Sequence, residues 1–143
     1  MKFIIRFFLV GLFLFISCQN KKENTEAEAT ELVMYQPSEM AALMNTMYYM
    51  NLDTKKKILN NENIGSFPER FLTIHTATLT DTKDRTDDFV RFSNEYINNM
   101  KSFYRSDLVD RKNNFNKAIQ SCIACHQTSC RGPIPRIKKL LIQ

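Results

Sequence analysis

The hydrophobic positions of the chain form one continuous block near the N-terminus and periodic stripes after it. The block runs unbroken from Phe7 to Ile16 and follows the basic residues Lys2 and Arg6. A membrane-spanning helix needs about 20 apolar residues, whereas the apolar region of a secretory signal peptide needs about 7–15. The pattern therefore predicts a signal peptide over residues 1–17.

A polar segment follows the signal peptide. Between Gln19 and Glu31 the chain contains no large apolar residue and is rich in Lys, Glu, Asn, Thr and Ala. Such a composition cannot bury enough apolar surface to fold. We therefore expect a disordered tether over residues 18–35 and one folded domain over residues 36–143.

The apolar spacing of the folded part begins with a helical stripe. A first helix is predicted from about Pro37, which suits a first helical turn, to the asparagine-rich run at 60–63. Its apolar face carries Met40, Leu43, Met44 and Met47, with Ile58 and Leu59 extending the stripe. Residues 68–86 lack a clear period and are predicted as a short helix followed by irregular chain.

Two further helices complete the pattern. One is predicted to start after a cap at Thr86 or Asp87, and the next to start near Asp107, run to His126 and stop at Gly132. Their apolar faces are Phe89, Phe92, Tyr96, Met100 and Phe103 in the former, and Leu108, Phe115, Ile119 and Cys122 in the latter. Three to four amphipathic helices of this length predict an all-α fold, a small antiparallel helix bundle.

The last helix carries the chemically most specific motif, in which Cys122, Ile123, Ala124, Cys125 and His126 are consecutive. This spacing is the attachment signature of haem c. Two thiols that add to the vinyl groups on one porphyrin edge must lie close together and point the same way, and residues three and four apart share a helix face. The motif predicts one covalently attached haem c, with both cysteines as attachment residues and His126 as an axial iron ligand.

Three other interpretations use the same cysteines. A thioredoxin-type redox pair needs a strand-to-helix setting in a mixed fold. A structural zinc site could take Cys122, Cys125, His126 and Cys130 as ligands, although such sites normally draw on two separated knuckles. A disulfide fits an oxidising compartment. We favour haem because the export signal and the histidine after the second cysteine both agree with it.

Methionines cluster in the first predicted helix, where Met40, Met44 and Met47 share the inward face. A thioether as sixth ligand raises the haem potential and closes the iron to gases. We expect Met44 to be this ligand because it is central in the stripe. Met40 and Met47 are rivals that otherwise serve as core residues, and His75 is a further rival that would give two imidazole ligands.

A basic tail follows the motif and contains Arg131, Arg136, Lys138 and Lys139. Arg131 or Arg136 would pair with a haem propionate, or the tail would dock an acidic redox partner; a simple solvated end is the alternative. Lipid and haem attachment account for the other three cysteines but not for Cys130. It is expected to be a buried thiol or a partner in a disulfide between chains.

The formal net charge of +5 falls to +3 without the signal peptide, which is too mild to indicate a nucleic-acid partner.

The end of the signal peptide resembles the lipobox of bacterial lipoproteins, in the sequence Phe15-Ile16-Ser17-Cys18. In that family the cysteine is acylated and becomes the first mature residue. The resemblance implies that Cys18 is a lipid anchor, which would hold the protein to a bacterial cell membrane on the periplasmic side. An ordinary cleaved leader with an unrelated cysteine is the alternative.

The C-terminal position of the haem motif makes the chain similar to the class II c-type cytochromes, the cytochrome c-prime group and its low-spin relatives. The helix pattern carries the resemblance over about residues 37–130, and the motif residues Cys122, Cys125 and His126 make it specific. The lipobox and the haem motif together predict a membrane-tethered carrier of single electrons between periplasmic partners. The sequence has no obvious acid–base or nucleophilic constellation, so an enzyme is not expected. A gas-binding or sensing protein with five-coordinate iron is the alternative, followed by a structural zinc-binding lipoprotein.

Overall fold

Residues 36–143 form an all-α helix bundle in the computed structural model, which describes these residues. The helices are α1 (Glu39–Leu59), α2 (Asp87–Arg105), α3 (Arg111–Thr128) and the short α4 (Ile134–Lys138), with 3₁₀ helices at Glu69–His75 and Thr82–Asp84. No strand occurs within residues 36–143, so the predicted all-α bundle is confirmed. The predicted signal peptide, tether and lipid anchor Cys18 lie outside the described residues.

Helix α1 begins and ends where its local sequence predicts. The Ser38 hydroxyl accepts a hydrogen bond from the Ala41 amide at 3.1 Å, which satisfies one of the free amides of the first turn. Asn60 forms the C-cap, and Asn61 has a left-handed backbone with φ of 55°, a conformation that asparagine tolerates. The inward face of α1 buries Met40, Leu43, Met47, Asn51 and Thr54.

The crossover between α1 and α2 contains the predicted short helix and irregular chain. The 3₁₀ helix at Glu69–His75 buries Phe71 and Ile74, and the Phe71 ring packs 6.1 Å from the ring of Tyr96. The N-terminus of α1 is tied to the same crossover, because Glu39 accepts hydrogen bonds from the amide and hydroxyl of Thr78. These bonds lower the pKa of the Glu39 carboxyl.

Helices α2 and α3 form an antiparallel hairpin that holds the densest part of the core. Phe103 near the end of α2 packs 5.3 Å from Phe115 near the start of α3. Farther along, Asn99 donates to the hydroxyl of Ser121 at 2.7 Å. Phe103, Phe115, Met100 and Ile119 are completely buried.

The predicted start of the last long helix was wrong by four residues. Helix α3 begins at Arg111 rather than near Asp107, because residues 106–110 form a turn in which Asp107 accepts from the Asp110 amide at 3.2 Å. Leu108, which was placed on the apolar stripe, is 69% exposed in this turn. The helix also ends at Thr128, ahead of the predicted stop at Gly132.

The C-terminal segment folds back onto the bundle, so it is not a free basic tail. Helix α4 and the residues after it bury Ile137, Leu140 and Ile142. Lys55 of α1 donates to the carbonyls of Lys139 and Leu141 at 2.9 and 2.7 Å. The segment therefore forms a wall of the domain, with Lys138 and Lys139 exposed on its outer side.

Two side-chain hydrogen bonds join helix α1 to helix α2. Asn51 pairs with Tyr96, and Thr54 pairs with Tyr104 farther along both helices. The backbone of α1 approaches the 3₁₀ helix at Glu69–His75 more closely than it approaches α3. The space between α1, α3 and α4 is the cavity described next. No helix within residues 36–143 is long and apolar enough to span a membrane.

Candidate functional site

A cavity of about 360 Å³ lies between α1, α3 and α4. This volume falls in the range of about 300–1,000 Å³ that is typical of small-molecule and cofactor sites. The predicted site residues among those that line it are Cys122, Cys125 and His126 from α3, Met40, Met44 and Met47 from α1, and Arg136 from α4. The structure therefore brings together the haem motif and the methionine cluster, which are far apart in the sequence.

One turn of α3 presents Cys122, Cys125 and His126 to this cavity, as their helical spacing predicts. All three side chains are half-buried. Burial raises the pKa of both thiols, with smaller contributions from Cys125 on Cys122 and from Asp88 on Cys125. A thioredoxin-type pair depends on a lowered thiol pKa, so the surroundings of these cysteines are unlike those of a redox dithiol.

A hydrogen bond fixes the imidazole of His126. Its Nδ1 lies 2.8 Å from the backbone carbonyl oxygen of Cys130. A carbonyl can only accept, so Nδ1 carries a hydrogen, and the tautomer with this hydrogen is the one whose Nε2 offers a lone pair. This is the arrangement found at metal-bound histidines, where the bond on the other ring nitrogen sets the tautomer and the ring orientation.

The methionines of α1 line the same cavity as the α3 turn. Met40 and Met47 are buried in the core at 6% and 5% exposure, whereas Met44 is only half-buried and is the least packed of the three. His75 does not line the cavity. It lies on the crossover, where its Nδ1 is 3.5 Å from the hydroxyl of Ser93.

The two arginines that were expected to pair with a propionate lie in different places. Arg136 lines the cavity, stacks 3.8 Å above the Tyr48 ring and donates to the Asn45 side chain at 2.8 Å. Arg131 is exposed, does not line the cavity, and donates to the Gln127 carbonyl. The structure thus brings Arg136, and not Arg131, to the cavity.

Sequence reasoning missed a polar pair that includes a further lining residue, Asn51. Asn51 is 2% exposed and its Nδ2 donates to the Tyr96 hydroxyl at 3.1 Å, while its Oδ1 has no partner within residues 36–143. An unpaired buried acceptor costs about 1–3 kcal/mol. Burial raises the pKa of Tyr96 well above its usual value, so its hydroxyl stays neutral. The signal in the sequence was a polar residue one turn after Met47 on an apolar stripe.

The alternative uses of the cysteines find little support in the described residues. Cys122, Cys125 and Cys130 are free thiols there, and Cys130 is exposed at the edge of the cavity. A tetrahedral zinc site needs several ligands to converge on one point. Within residues 36–143 no group of three or more His, Cys, Asp or Glu side chains does so.

Comparisons with known proteins provide no information about the function of this chain. Neither the models of known protein families, nor the curated proteins, nor the solved structures contain a significant match to this chain. No relative therefore supplies a substrate, a cofactor or a partner. The chemistry of the cavity has to be derived from the residues that line it.

Proposed function

We propose that this protein is a mono-haem c-type cytochrome that carries single electrons. The observation that carries the proposal is the single turn of α3 in which Cys122, Cys125 and His126 face an apolar cavity. The haem attachment signature on its own is a motif of five residues. The proposal is supported because the two thiols and the imidazole line one cavity, which is of a size suited to a cofactor and is also lined by methionine thioethers.

The residues of the cavity suit a covalently attached haem. Cys122 and Cys125 would hold the porphyrin through thioether bonds, and His126 would bind iron through the Nε2 that its bond to Cys130 leaves free. When bound, the group supplies reversible one-electron oxidation and reduction at iron. The chain itself holds the imidazole in one orientation through the bond to Cys130 and surrounds the cavity with mostly apolar side chains.

Met44 is the sixth ligand in this proposal. It lines the same cavity as His126, and it is less buried than Met40 or Met47. A residue that serves only as core filling is expected to be as buried as its two neighbours on the stripe. A thioether in this position gives a raised potential and an iron that does not bind gases, which suits an electron carrier.

The protein acts at a membrane and exchanges electrons with acidic protein partners in this proposal. Acylated Cys18 would tether it to a bacterial cell membrane on the periplasmic side. Residues 111–143 contain seven basic residues and no acidic residue. Arg136 lies at the cavity, and Lys138 at the end of the same short helix and Lys139 just after it are exposed. Opposite charges steer association, so electron-transfer rates should fall as salt is added, and salt-independent rates would remove the acidic partner.

The visible spectrum of the purified full chain tests the haem. We expect a Soret band, covalent haem that resists acid–acetone extraction, and no change when CO is added to the reduced protein. A missing Soret band would refute the proposal, and an immediate CO shift would replace the electron carrier with a gas-binding protein. Cys122→Ser should lose one thioether bond, whereas the matched control Cys130→Ser should keep the native spectrum.

A series of Met→Leu variants tests the sixth ligand. Leucine conserves the volume of methionine, so each replacement should cost less than about 1.5 kcal/mol in stability while removing the thioether. If the sulfur occupies the iron 99% of the time, its removal raises the apparent CO affinity about 100-fold, which corresponds to about 2.7 kcal/mol. Met44→Leu should show this gain, and Met40→Leu and Met47→Leu should not. Equal CO binding in Met44→Leu and the wild type would show that Met44 is not a ligand.

A further inference from the structure

A second cavity, of about 250 Å³, lies at the end of the bundle where α1 ends and α3 begins. Its charged lining residues are Arg111 and Lys112, and no acidic side chain within residues 36–143 lines it. The apolar lining residues are Ile58, Leu59, Leu108 and Ile142. The cavity thus offers positive charge and apolar surface together, which are the two features that bind an amphipathic anion.

The guanidinium of Arg111 has an unused hydrogen-bond donor. Its Nε is buried and has no hydrogen-bond partner within residues 36–143, and the side chain forms no ion pair there. Asp107 and Asp110 precede it in the sequence, but neither lines the cavity, and Asp107 accepts from the Asp110 amide. Arginine presents its N–H donors in a planar fork that matches the oxygens of a phosphate. Because a buried donor without an acceptor is unfavourable, we expect an anionic ligand to supply the oxygen.

The exposed surface around this cavity is apolar. Leu59 is 57% exposed and Leu108 is 69% exposed, and both line the cavity. Val109, next to Leu108, is 85% exposed. These are three of the six large hydrophobic side chains that are exposed within residues 36–143. A free anion in solution needs no apolar rim, whereas an anionic membrane presents hydrocarbon directly beneath its charged headgroups.

We infer that this cavity binds the phosphate of an anionic phospholipid, with Leu59, Leu108 and Val109 as an apolar rim at the lipid boundary. Arg111 would donate to the phosphate oxygens, and Lys112 would add a second positive charge. Sites that enclose whole drug-sized ligands typically have volumes of about 300–1,000 Å³, so this smaller cavity suits a headgroup whose acyl chains stay in the bilayer. Only the presence of the protein at a membrane rests on the proposed function.

The length of the chain before the domain permits this contact. The tether joins the domain at the opposite end of α1, and the 21 residues of α1 span about 30 Å. Residues 18–35 can span at most about 60 Å when extended. An anchor at Cys18 can therefore hold the domain while the end of α1 at Leu59 touches the same membrane. Met44 lies about 22 Å before Leu59 along α1, so the cavity that it lines would remain open to protein partners.

A tryptophan at the rim reports on this contact, because the chain contains no tryptophan of its own. Val109→Trp is placed in the full membrane-anchored chain, in vesicles of phosphatidylcholine with or without phosphatidylglycerol. We expect blue-shifted emission and quenching by brominated acyl chains in the anionic vesicles. The control is Val90→Trp, at an exposed apolar position that lines neither cavity, and it should show neither effect. Equal emission of Val109→Trp in neutral and anionic vesicles would overturn the inference.

A substitution that conserves charge tests the role of Arg111 itself. In the Val109→Trp chain, Arg111→Lys keeps the positive charge but loses the planar fork, and should lower the ratio of docked to undocked protein about tenfold, or about 1.4 kcal/mol. Arg105→Lys is the matched control, because Arg105 is exposed and does not line the cavity, and it should change the ratio less than twofold. Equal ratios in the two variants would show that general charge attracts the membrane and that the cavity binds no headgroup.

Free ligands distinguish a lipid from a soluble phosphate. Dihexanoyl phosphatidylglycerol below its micelle concentration should shift the emission of Val109→Trp without vesicles, and glycerol 3-phosphate and inorganic phosphate should not. Equal binding of the free phosphates would replace the lipid with a soluble anion, and no binding of the short-chain lipid would overturn the inference. The mass of the purified chain reports on acylation of Cys18 independently, and none of these measurements requires haem. A failure of the proposed function would therefore be seen separately.

Discussion

Lys55 holds the C-terminal segment against α1, and its removal should loosen that segment measurably. Its Nζ donates to the carbonyls of Lys139 and Leu141, which follow α4. In Lys55→Met the aliphatic stem stays long enough to cover the same apolar surface, while both hydrogen bonds are lost. The change therefore isolates the two polar contacts from the packing around them.

The expected loss follows from the surroundings of the two bonds. A hydrogen bond to a charged group contributes about 1.5–3 kcal/mol when water is excluded. The bond to Lys139 is exposed, so water replaces most of it and about 0.5 kcal/mol is expected; the bond to Leu141 is part-buried and should contribute about 1.5 kcal/mol. The sum is about 2 kcal/mol, or a fall in melting temperature of roughly 8 °C for a domain of this size.

Urea unfolding followed by far-ultraviolet circular dichroism measures this loss directly. The control is Lys56→Met, which removes the same charge from the neighbouring position. Lys56 is exposed and its side chain forms no hydrogen bond within residues 36–143, so its replacement should change stability by less than about 0.5 kcal/mol. If the two variants unfold at the same urea concentration, the contacts of Lys55 do not stabilise the domain and the reasoning is wrong.

Three other predictions concern the ends of α1 and α2 and the wall of the cavity. Thr86→Ala removes the side chain that caps α2 and should cost about 1 kcal/mol in urea unfolding, which Thr86→Ser should largely spare. The pKa of Glu39 is lowered in the fold, so its bonds to Thr78 stabilise the protein above about pH 4.5 and are lost as the pH falls below that value. The stability advantage of the wild type over Glu39→Gln should therefore disappear in acid. An advantage that persists at low pH would contradict this prediction. Arg136→Lys keeps the charge but loses the planar stacking and the bond to α1, and should cost about 1 kcal/mol, whereas Arg131→Lys should cost almost nothing.

The features that the sequence predicts well are set by short-range chemistry. Helix α1 is recognisable from a regular apolar stripe that runs from Met40 to Met47, with Pro37 before it and the asparagine-rich run at 60–63 after it. The cavity-facing turn of α3 is equally local, because any helix places Cys122 and His126 on the same side. Neither prediction requires knowledge of what packs against the helix.

The features that were missed depend on contacts between distant parts of the chain. The sequence predicts a basic tail where the short α4 lies, because five residues are too few to establish a helical period. The contact that holds this segment comes from Lys55, which is far away in the sequence. The late start of α3 depends on a local turn around Leu108 that is invisible to apolar periodicity. Asn51 looked like an ordinary polar position because its partner, Tyr96, lies on another helix.

The uneven packing of the bundle has a consequence for how the domain opens. Helices α2 and α3 pack closely against each other through fully buried side chains, whereas the backbones of α1 and α3 make few close approaches and both helices line the cavity. Amide hydrogen exchange reports such differences, because regions with few backbone contacts open locally at a lower free energy than the core. The methionine wall therefore belongs to the part of the protein that can separate, and the cysteine turn to the part that stays intact. Under the proposed function, haem would enter when α1 moves aside, with the hairpin that carries the thiols already folded.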